Sequence, residues 1–254
     1  MIPDPAYAHV GDHAWLLDRG LFVAEGRLVV RRLVEGGRFR TRSVLVTPAA
    51  FAALEDVLDP ARCEIHVCEQ QAMNAMAGIN FHRGCLALAE RRPVEASPVV
   101  FSGARRLVAL EGVGNPDNVG GIFRVAAAFE AGGVLLDRTS GDPLYRKAIR
   151  TSMGAVLRLP FAQPEAWDAE LRGLRGRGFH LVALTPDPSA TSLSAYAATL
   201  PVGQPLVLML GGEGPGLTPD SQSFADVRVR IPIAADVDSL NVVVAAGIAL
   251  AALR

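Results

Sequence analysis

Apolar residues in this chain fall into short runs separated by glycine, proline and small polar residues, and the runs change period along the chain. Over 16–37, LLDRGLFVAEGRLVVRRLVEGG sets Val23, Leu28, Val30 and Leu33 at helical spacing and predicts a helix that stops at Gly36-Gly37. SVLVT predicts a strand and PAAFAALEDVL a helix, opened by Thr47 as cap with Pro48 in its first turn. CEIHVCE then reads as a strand, QQAMNAMAG as a short helix ending at Gly78, and CLALAER as another strand. These elements make a small α/β domain, assigned to 1–95. The next stretch, RRPVEASPVVFSGAR, carries two prolines and no helical period, so a linker is placed within it, at 96–104.

A second alternation fills 105–254. RLVALEGV is a buried strand, GNPDNVGG a loop, IFRVAAAFEA a helix and GGVLLD a strand. DPLYRKAIRTSMGA begins as a helix and meets a breaker, VLRLPF is a strand, EAWDAELRGLRGRG a helix and FHLVALT a strand. PLVLMLGGEGPGLT runs from strand into a glycine loop. In IPIAADVDSLNVVVAAGIALAALR, Ile231 to Ile233 reads as the end of a buried strand and 234–238 as a loop. A helix follows over 239–253, with Ser239 as its cap. That helix has no polar face, which predicts burial on all sides, and Asn241 in its first turn is costly unless something specific needs it. Strands alternating with helices imply a mostly parallel sheet covered on both faces.

Composition narrows the class. With 254 residues, 50% of them hydrophobic, the chain can bury a sizeable core. No run reaches the roughly 20 apolar residues needed to span a bilayer, and MIPDPAYAHVGDHAW lacks the pattern of a secretory signal, so a soluble cytoplasmic protein without membrane contact is expected. Cys63, Cys68 and Cys85 lack zinc-ligand spacing even with His66 and His82 nearby; they read as small buried thiols, and no metal is expected. A net charge of −1 argues against bulk electrostatic binding of nucleic acid. Lys147 is the only lysine, however, and the cluster Arg27, Arg31, Arg32, Arg38 and Arg40 is a candidate phosphate-contacting patch.

Candidate chemistry lies in three loops that follow predicted strands, where open α/β sheets bind ligands. GVGNPDNVGGIFR offers glycines for close backbone approach, with Asn118 and Arg124 as polar candidates; the alternatives are an ordinary helix cap for Asn118 and an ion pair with an acid for Arg124. A dinucleotide fingerprint fails at its third glycine position, occupied by Asp117. LGGEGPGLTPD exposes backbone amides and carbonyls beside Glu213, suited to a planar polar ligand, and it lacks the Lys and Ser/Thr of a nucleotide-hydrolysing loop. DSLN supplies Ser239 and Asn241.

In order and spacing, NPDNVGGIFRVAAAFEAGGVLL, LVLMLGGEGPGL and IPIAADVDSLNVVVAAGIAL resemble the three motifs of the SpoU/TrmH family of RNA 2′-O-ribose methyltransferases, within the SPOUT superfamily. FVAEGRLVVRRLV, RSVLVT and NFHRGCLALAE resemble that family's small RNA-binding domain. The resemblance implies a trefoil knot made by threading of the C-terminal segment, a homodimer, S-adenosylmethionine as cofactor, and transfer or ribosomal RNA as partner. It implies catalytic roles for Asn118, Arg124, Glu213, Ser239 and Asn241. It implies cofactor contacts from Leu210, Gly211, Gly212, Gly214, Ile231, Ile233, Ser239 and Leu240. Gly212 stands where many members have Ser or Asn, which predicts a missing side-chain contact and a mobile loop over 211–216. The rival readings are a non-catalytic RNA-binding protein on the same scaffold and a base methyltransferase; a nicotinamide dehydrogenase is distant.

Overall fold

Two glycines with left-handed backbone, Gly20 (φ 63°) and Gly26 (φ 94°), interrupt the stretch whose spacing predicts one helix over 16–37. Between them LFVAE is a strand, β1 (Leu21–Glu25), buried along its whole length. Helices α1 (His13–Asp18) and α2 (Arg27–Gly36) flank it. A strand buried on both faces shows no polar alternation, so its apolar residues fit helical spacing equally well. In this computed structural model residues 3–78, 80–93, 97–234 and 236–254 are described.

The chain continues through β2 (Thr41–Val46), α3 (Pro48–Ala52), β3 (Glu64–Val67), α4 (Gln70–Ala77) and β4 (Cys85–Glu90). Thr47 caps α3, its hydroxyl accepting the Ala50 N–H at 3.3 Å, and Gly78 ends α4 with φ 64°. The sheet order is β1-β4-β2-β3, with β4 antiparallel to β1 and β2 and with β3 parallel to β2. Tyr7, Leu16, Val23, Leu45, Met73 and Leu88 meet in one core.

The chain then builds α5 (Ser97–Val100), β5 (Arg106–Glu111), α6 (Pro116–Ala128) and β6 (Gly133–Leu136) of a second unit. The short helix α5 lies where the linker was expected. The linker's expected first residue, 96, is outside the described residues. Next the chain returns to the first unit with α7 (Arg146–Thr151) and a single 3-10 turn, Ala155–Leu157. The two compact units are Met1–Pro93 with Pro143–Arg158, and Val94–Asp142 with Leu159–Arg254. The segment 143–158 thus groups with the first unit, where the sequence pattern predicts one domain over 105–254. Arg146 donates to the buried Glu25 carboxylate at 3.5 Å, Arg32 donates to the Met153 carbonyl and Arg38 to the Val156 carbonyl, while Ile149, Val156 and Leu157 are buried.

The second unit is completed by β7 (Phe161–Ala162), α8 (Trp167–Gly176), β8 (His180–Leu184), β9 (Thr191–Ser192) and α9 (Leu193–Thr199). After these come β10 (Leu206–Gly211), α10 (Pro219–Phe224), β11 (Val227–Arg230) and α11 (Val242–Ala252). VLRLPF, expected as a strand, contributes only Phe161 to one. Seven strands in the order β7-β6-β5-β10-β8-β11-β9 form a sheet in which every neighbouring pair is parallel. Leu107, Leu135, Leu171, Leu181, Val207 and Met209 pack in a core on this sheet.

Three expectations for the C-terminal stretch are corrected. Strand β11 ends at Arg230, so Ile231 and Ile233 belong to the loop that follows; within that loop Ala235 is outside the described residues. The helix cap is Asn241, whose side chain accepts the Val243 N–H at 2.9 Å, and not Ser239. Burial is not complete, because Val244 and Ile248, one turn apart on α11, are 51% and 40% exposed.

Candidate active site at the carboxyl ends of the parallel strands

Helix α6 starts inside the segment expected to be a loop. Asn115 caps it, accepting the Asp117 N–H at 2.9 Å, with Pro116 in the first turn where its missing N–H costs nothing. Asn118 is thereby freed from capping, buried in the third position of the helix. Its amide donates to Glu213 Oε1 at 2.8 Å. The Asn241 amide donates to Asn118 Oδ1 at 3.1 Å and to Glu213 Oε1 at 3.4 Å. One residue from each of the three loops thus enters a single network, and because Asn241 is exposed the burial cost expected of it does not arise. The network needs α6 and α11 close together, and Gly121 permits it: a Cβ there would lie 2.7 Å from a Val243 methyl.

The glycine loop after β10 is shaped by backbone contacts. A Cβ on Gly211 would sit 2.1 Å from the Gly216 carbonyl carbon, and one on Gly212 would sit 2.0 Å from the Gly112 oxygen. The contact expected to be missing at Gly212 is thus replaced by main chain, and the loop over 211–216 is bonded: Gly216 N–H donates to Gly212 O at 3.2 Å and Gly212 N–H to Glu111 O at 2.8 Å. The Glu111 carboxylate also accepts from Thr218 N–H (3.0 Å), the Thr218 hydroxyl (2.9 Å) and the Ser221 hydroxyl (2.8 Å), so one residue at the end of β5 braces both ends of the loop.

Asp137, after β6, fixes the facing turn by accepting from Gly112 N–H at 3.0 Å, Ser140 N–H at 2.8 Å, the Ser140 hydroxyl at 2.6 Å and the Thr139 hydroxyl. Burial pushes its carboxyl up. The donors from Ser140, Thr139 and Gly112 outweigh that and hold it below the ordinary carboxylate value.

A cavity of about 540 Å³ opens at the carboxyl ends of β8, β10 and β11, under the chain that leads into α11. Leu210, Gly211, Gly212, Gly214, Ile231, Ile233, Ser239 and Leu240 all line it. Sequence reasoning missed Thr185 and Pro186, beyond β8, and Arg230, Val237 and Asp238. The first two carried a signal, since they follow a predicted parallel strand. Apolar walls, exposed main-chain groups and the carboxylates of Glu213 and Asp238 suit a small ligand with a flat apolar part and a cationic centre.

The other candidates are dispersed. Ser239 faces the cavity and makes no hydrogen bond among the described residues. Arg124 is exposed on α6, two turns beyond Asn118, and neither hydrogen bonds nor pairs with an acid among the described residues. Arg31 bonds Asp56 at 2.6 Å and 2.7 Å and Glu35 at 3.3 Å, and Arg40 pairs with Glu90 at 3.3 Å. Arg32 and Arg38 hold carbonyls of 143–158, as described above. Only Arg27 of that cluster is without a hydrogen bond or ion pair among the described residues. Among these residues no group of three or more His, Cys, Asp or Glu is placed to hold a metal, and no helix is long and apolar enough to cross a membrane. Cys63 and Cys85 are buried and Cys68 half-buried, all as free thiols; burial pushes Cys85 up to about 12.

Comparison with known proteins bears on the same loops. A family model described as the SpoU rRNA methylase family matches residues 105–251. An uncharacterised tRNA/rRNA methyltransferase of Mycobacterium tuberculosis is 38% identical over 231 residues, covering 91% of this chain and 80% of the relative. An AdoMet-bound rRNA methyltransferase from Sinorhizobium meliloti superposes with a TM-score of 0.82 at 25% identity, over 98% of this chain and 92% of the other. An RNA 2′-O ribose methyltransferase does so with a TM-score of 0.76 at 26% identity, over 99% and 95%. With motif residues from three loops joined in a network whose Glu213 lines the cavity, and the family match running through all three, the chain belongs to the SpoU rRNA methylase family of RNA methyltransferases.

Proposed function

We propose that the chain transfers a methyl group from S-adenosylmethionine to a ribose 2′-hydroxyl in structured RNA, ribosomal or transfer. The observation that carries this reading is the Asn118–Glu213–Asn241 network, whose Glu213 lines the cavity. The cofactor fits the residues present. Leu210, Ile231, Ile233 and Leu240 offer apolar contact to an adenosine, the absence of side chains at Gly211 and Gly212 lets a ligand approach the main chain closely, and Glu213 and Asp238 favour a cation. When bound, it supplies a methyl carbon already activated by its sulfonium, which calls for no metal in this chemistry. The protein's part is alignment and charge, worth several kcal/mol of the barrier in well-oriented systems.

Asn118, Glu213 and Asn241 would orient the ribose. Arg124, a guanidinium that stays protonated and makes a poor base, would bind the adjacent phosphate and stabilise the developing alkoxide. Replacing Arg124 by Lys keeps the charge and loses the planar fork, so turnover is expected to fall about 10²-fold or more with S-adenosylhomocysteine affinity unchanged. Near-normal turnover would remove the guanidinium from the mechanism.

The similarity to a 2′-O ribose methyltransferase over nearly the whole chain supports ribose rather than base as acceptor. We further propose a homodimer, supported by the exposed apolar pair Val244 and Ile248, and a trefoil knot, supported by the return of the chain from β11 to pack α11 on α6 and β10. Free thiols support the cytoplasm as the place of action. The test is incubation of total RNA, from cells lacking the protein, with the protein and labelled S-adenosylmethionine, followed by nucleoside analysis. Label in a 2′-O-methylated nucleoside is expected. Label on a base would make the chain a base methyltransferase, and bound cofactor with no label in any RNA would favour a non-catalytic RNA-binding protein.

A further inference from the structure

A second concavity, about 620 Å³ in volume, lies wholly within the first unit, and none of its lining residues belongs to the three methyltransferase motifs. Its charge is one-sided. Arg27, Arg83, Arg150 and His82 line it and no carboxylate does, in a chain whose net charge is −1. The three arginines come from separate places: Arg27 opens α2, Arg83 precedes β4, and Arg150 sits on α7, so the return of 143–158 to this unit assembles the cluster. Arg27 and Arg150 are exposed and have no hydrogen bond or ion pair among the described residues. Arg83 crosses the α2 start, with its Cδ 3.1 Å from where a Cβ on Gly26 would be, and shares the buried Glu25 with Arg146 at the longer distance of 3.8 Å. Beside the charges two apolar side chains face outward, Leu28 (42% exposed) and Met153 (37%). Met153 holds a left-handed φ of 54°, which its side chain disfavours, and Arg32 bonds its carbonyl in that position.

We propose that this groove binds the phosphodiester backbone of the RNA substrate through Arg27, Arg83 and Arg150. The two unopposed guanidiniums of Arg27 and Arg150, with Arg83 only loosely held by Glu25 at 3.8 Å, match phosphates along a strand, since each offers a bidentate fork. The exposed Leu28 and Met153 match the apolar faces of sugar and base that alternate with those phosphates. A single small anion would leave most of the volume and both apolar side chains unused. The proposal rests on the reading of the chain as an RNA-modifying enzyme, and relocates RNA contact from the cluster Arg27, Arg31, Arg32, Arg38 and Arg40, of which it keeps only the first.

The experiment measures fluorescence anisotropy of labelled bulk transfer RNA and of labelled ribosomal RNA fragments, both from cells lacking the protein, over a salt series. The full chain is compared with an Arg27→Ala/Arg150→Ala double variant, its Arg27→Gln/Arg150→Gln counterpart and an Arg62→Ala control, which removes an exposed charge of the same unit outside the groove. S-adenosylhomocysteine binding is titrated alongside. Loss of RNA affinity in both double variants is expected, with the slope of log affinity against log salt reduced by about 2, one per phosphate contact. Arg62→Ala should keep the slope, and cofactor-product affinity should stay constant throughout.

An unchanged slope in either double variant, or an equal loss in Arg62→Ala, would overturn the groove. Failure of the wild-type chain to bind either RNA would overturn it too, while S-adenosylhomocysteine binding still spoke for the enzyme. A reduced slope without methyl transfer to any RNA would leave the groove standing and sink the reaction.

Discussion

At the scale of single residues, the site depends as much on absent side chains as on those present. Asn118, Glu213 and Asn241 were legible because each follows a predicted strand inside a recognisable motif, and the structure joins them within 3.4 Å of one another. Their supports were not legible: Glu111 reads as one more strand-end acid, and its bonds to Thr218 and Ser221 span more than a hundred residues. Gly212 read as a departure from the family pattern, because sequence does not report that the Gly112 carbonyl fills the space. Restoring the commoner residue should therefore harm this protein. Gly212→Ser is expected to destabilise it by about 1–3 kcal/mol and to weaken S-adenosylhomocysteine binding at least about tenfold, read by thermal melts and calorimetry. Equal or tighter binding would show that the loop moves freely.

Asp137 sets an acid limit. Its folded carboxyl lies below the ordinary value, so its contribution to stability is complete above the unfolded value near 3.9 and is lost as pH falls through the lower folded value. Melting temperature measured below about pH 4 should fall less steeply in Asp137→Asn than in the wild type, from a lower starting point. Parallel slopes would remove Asp137 from the acid transition.

At the scale of elements, strands after β1 were largely legible because their apolar runs are short and bounded by turn residues, as in SVLVT and PLVLMLG. β1 was not, since a fully buried run has no period of its own, and α11 was mistaken for wholly buried because an apolar helix does not announce which side a single chain covers. The uncovered side yields a prediction. Ile248→Glu places a charge on the exposed apolar face without touching the buried Ala246, Ala249 and Leu250, and is expected to convert a dimer into monomers in sedimentation while leaving the melting of the monomer nearly unchanged. A dimer that survives the charge would place the subunit contact elsewhere.

At the scale of the molecule, the alternation of strands and helices made the two-part α/β organisation legible, and the resemblance supplied what alternation lacks. The path of the chain between the units was hidden, because 143–158 continues the strand–helix alternation without a break in pattern and finds its partners in residues more than a hundred positions away. A fragment beginning at residue 94 would carry Leu144, Ile149, Val156 and Leu157 without the surface that buries them. Such a fragment is expected to aggregate, whereas one in which a Gly/Ser loop also replaces 143–158 should stay monodisperse and bind S-adenosylhomocysteine; light scattering and calorimetry separate the two. If the simple truncation is as well behaved, 143–158 does not depend on the first unit.

The same excursion gives the chain a schedule on the ribosome. Translation delivers β1 to β4 early, but the segment that covers them emerges only after β5, α6 and β6 have been made. The first unit must therefore wait, partly open, while the start of the second is already outside the tunnel, and a nascent chain arrested before Arg158 presents its unfinished apolar surface to chaperones. The Arg27–Arg83–Arg150 groove is then complete only once that unit has closed, so an arrested chain lacks the full set of charges that would hold RNA.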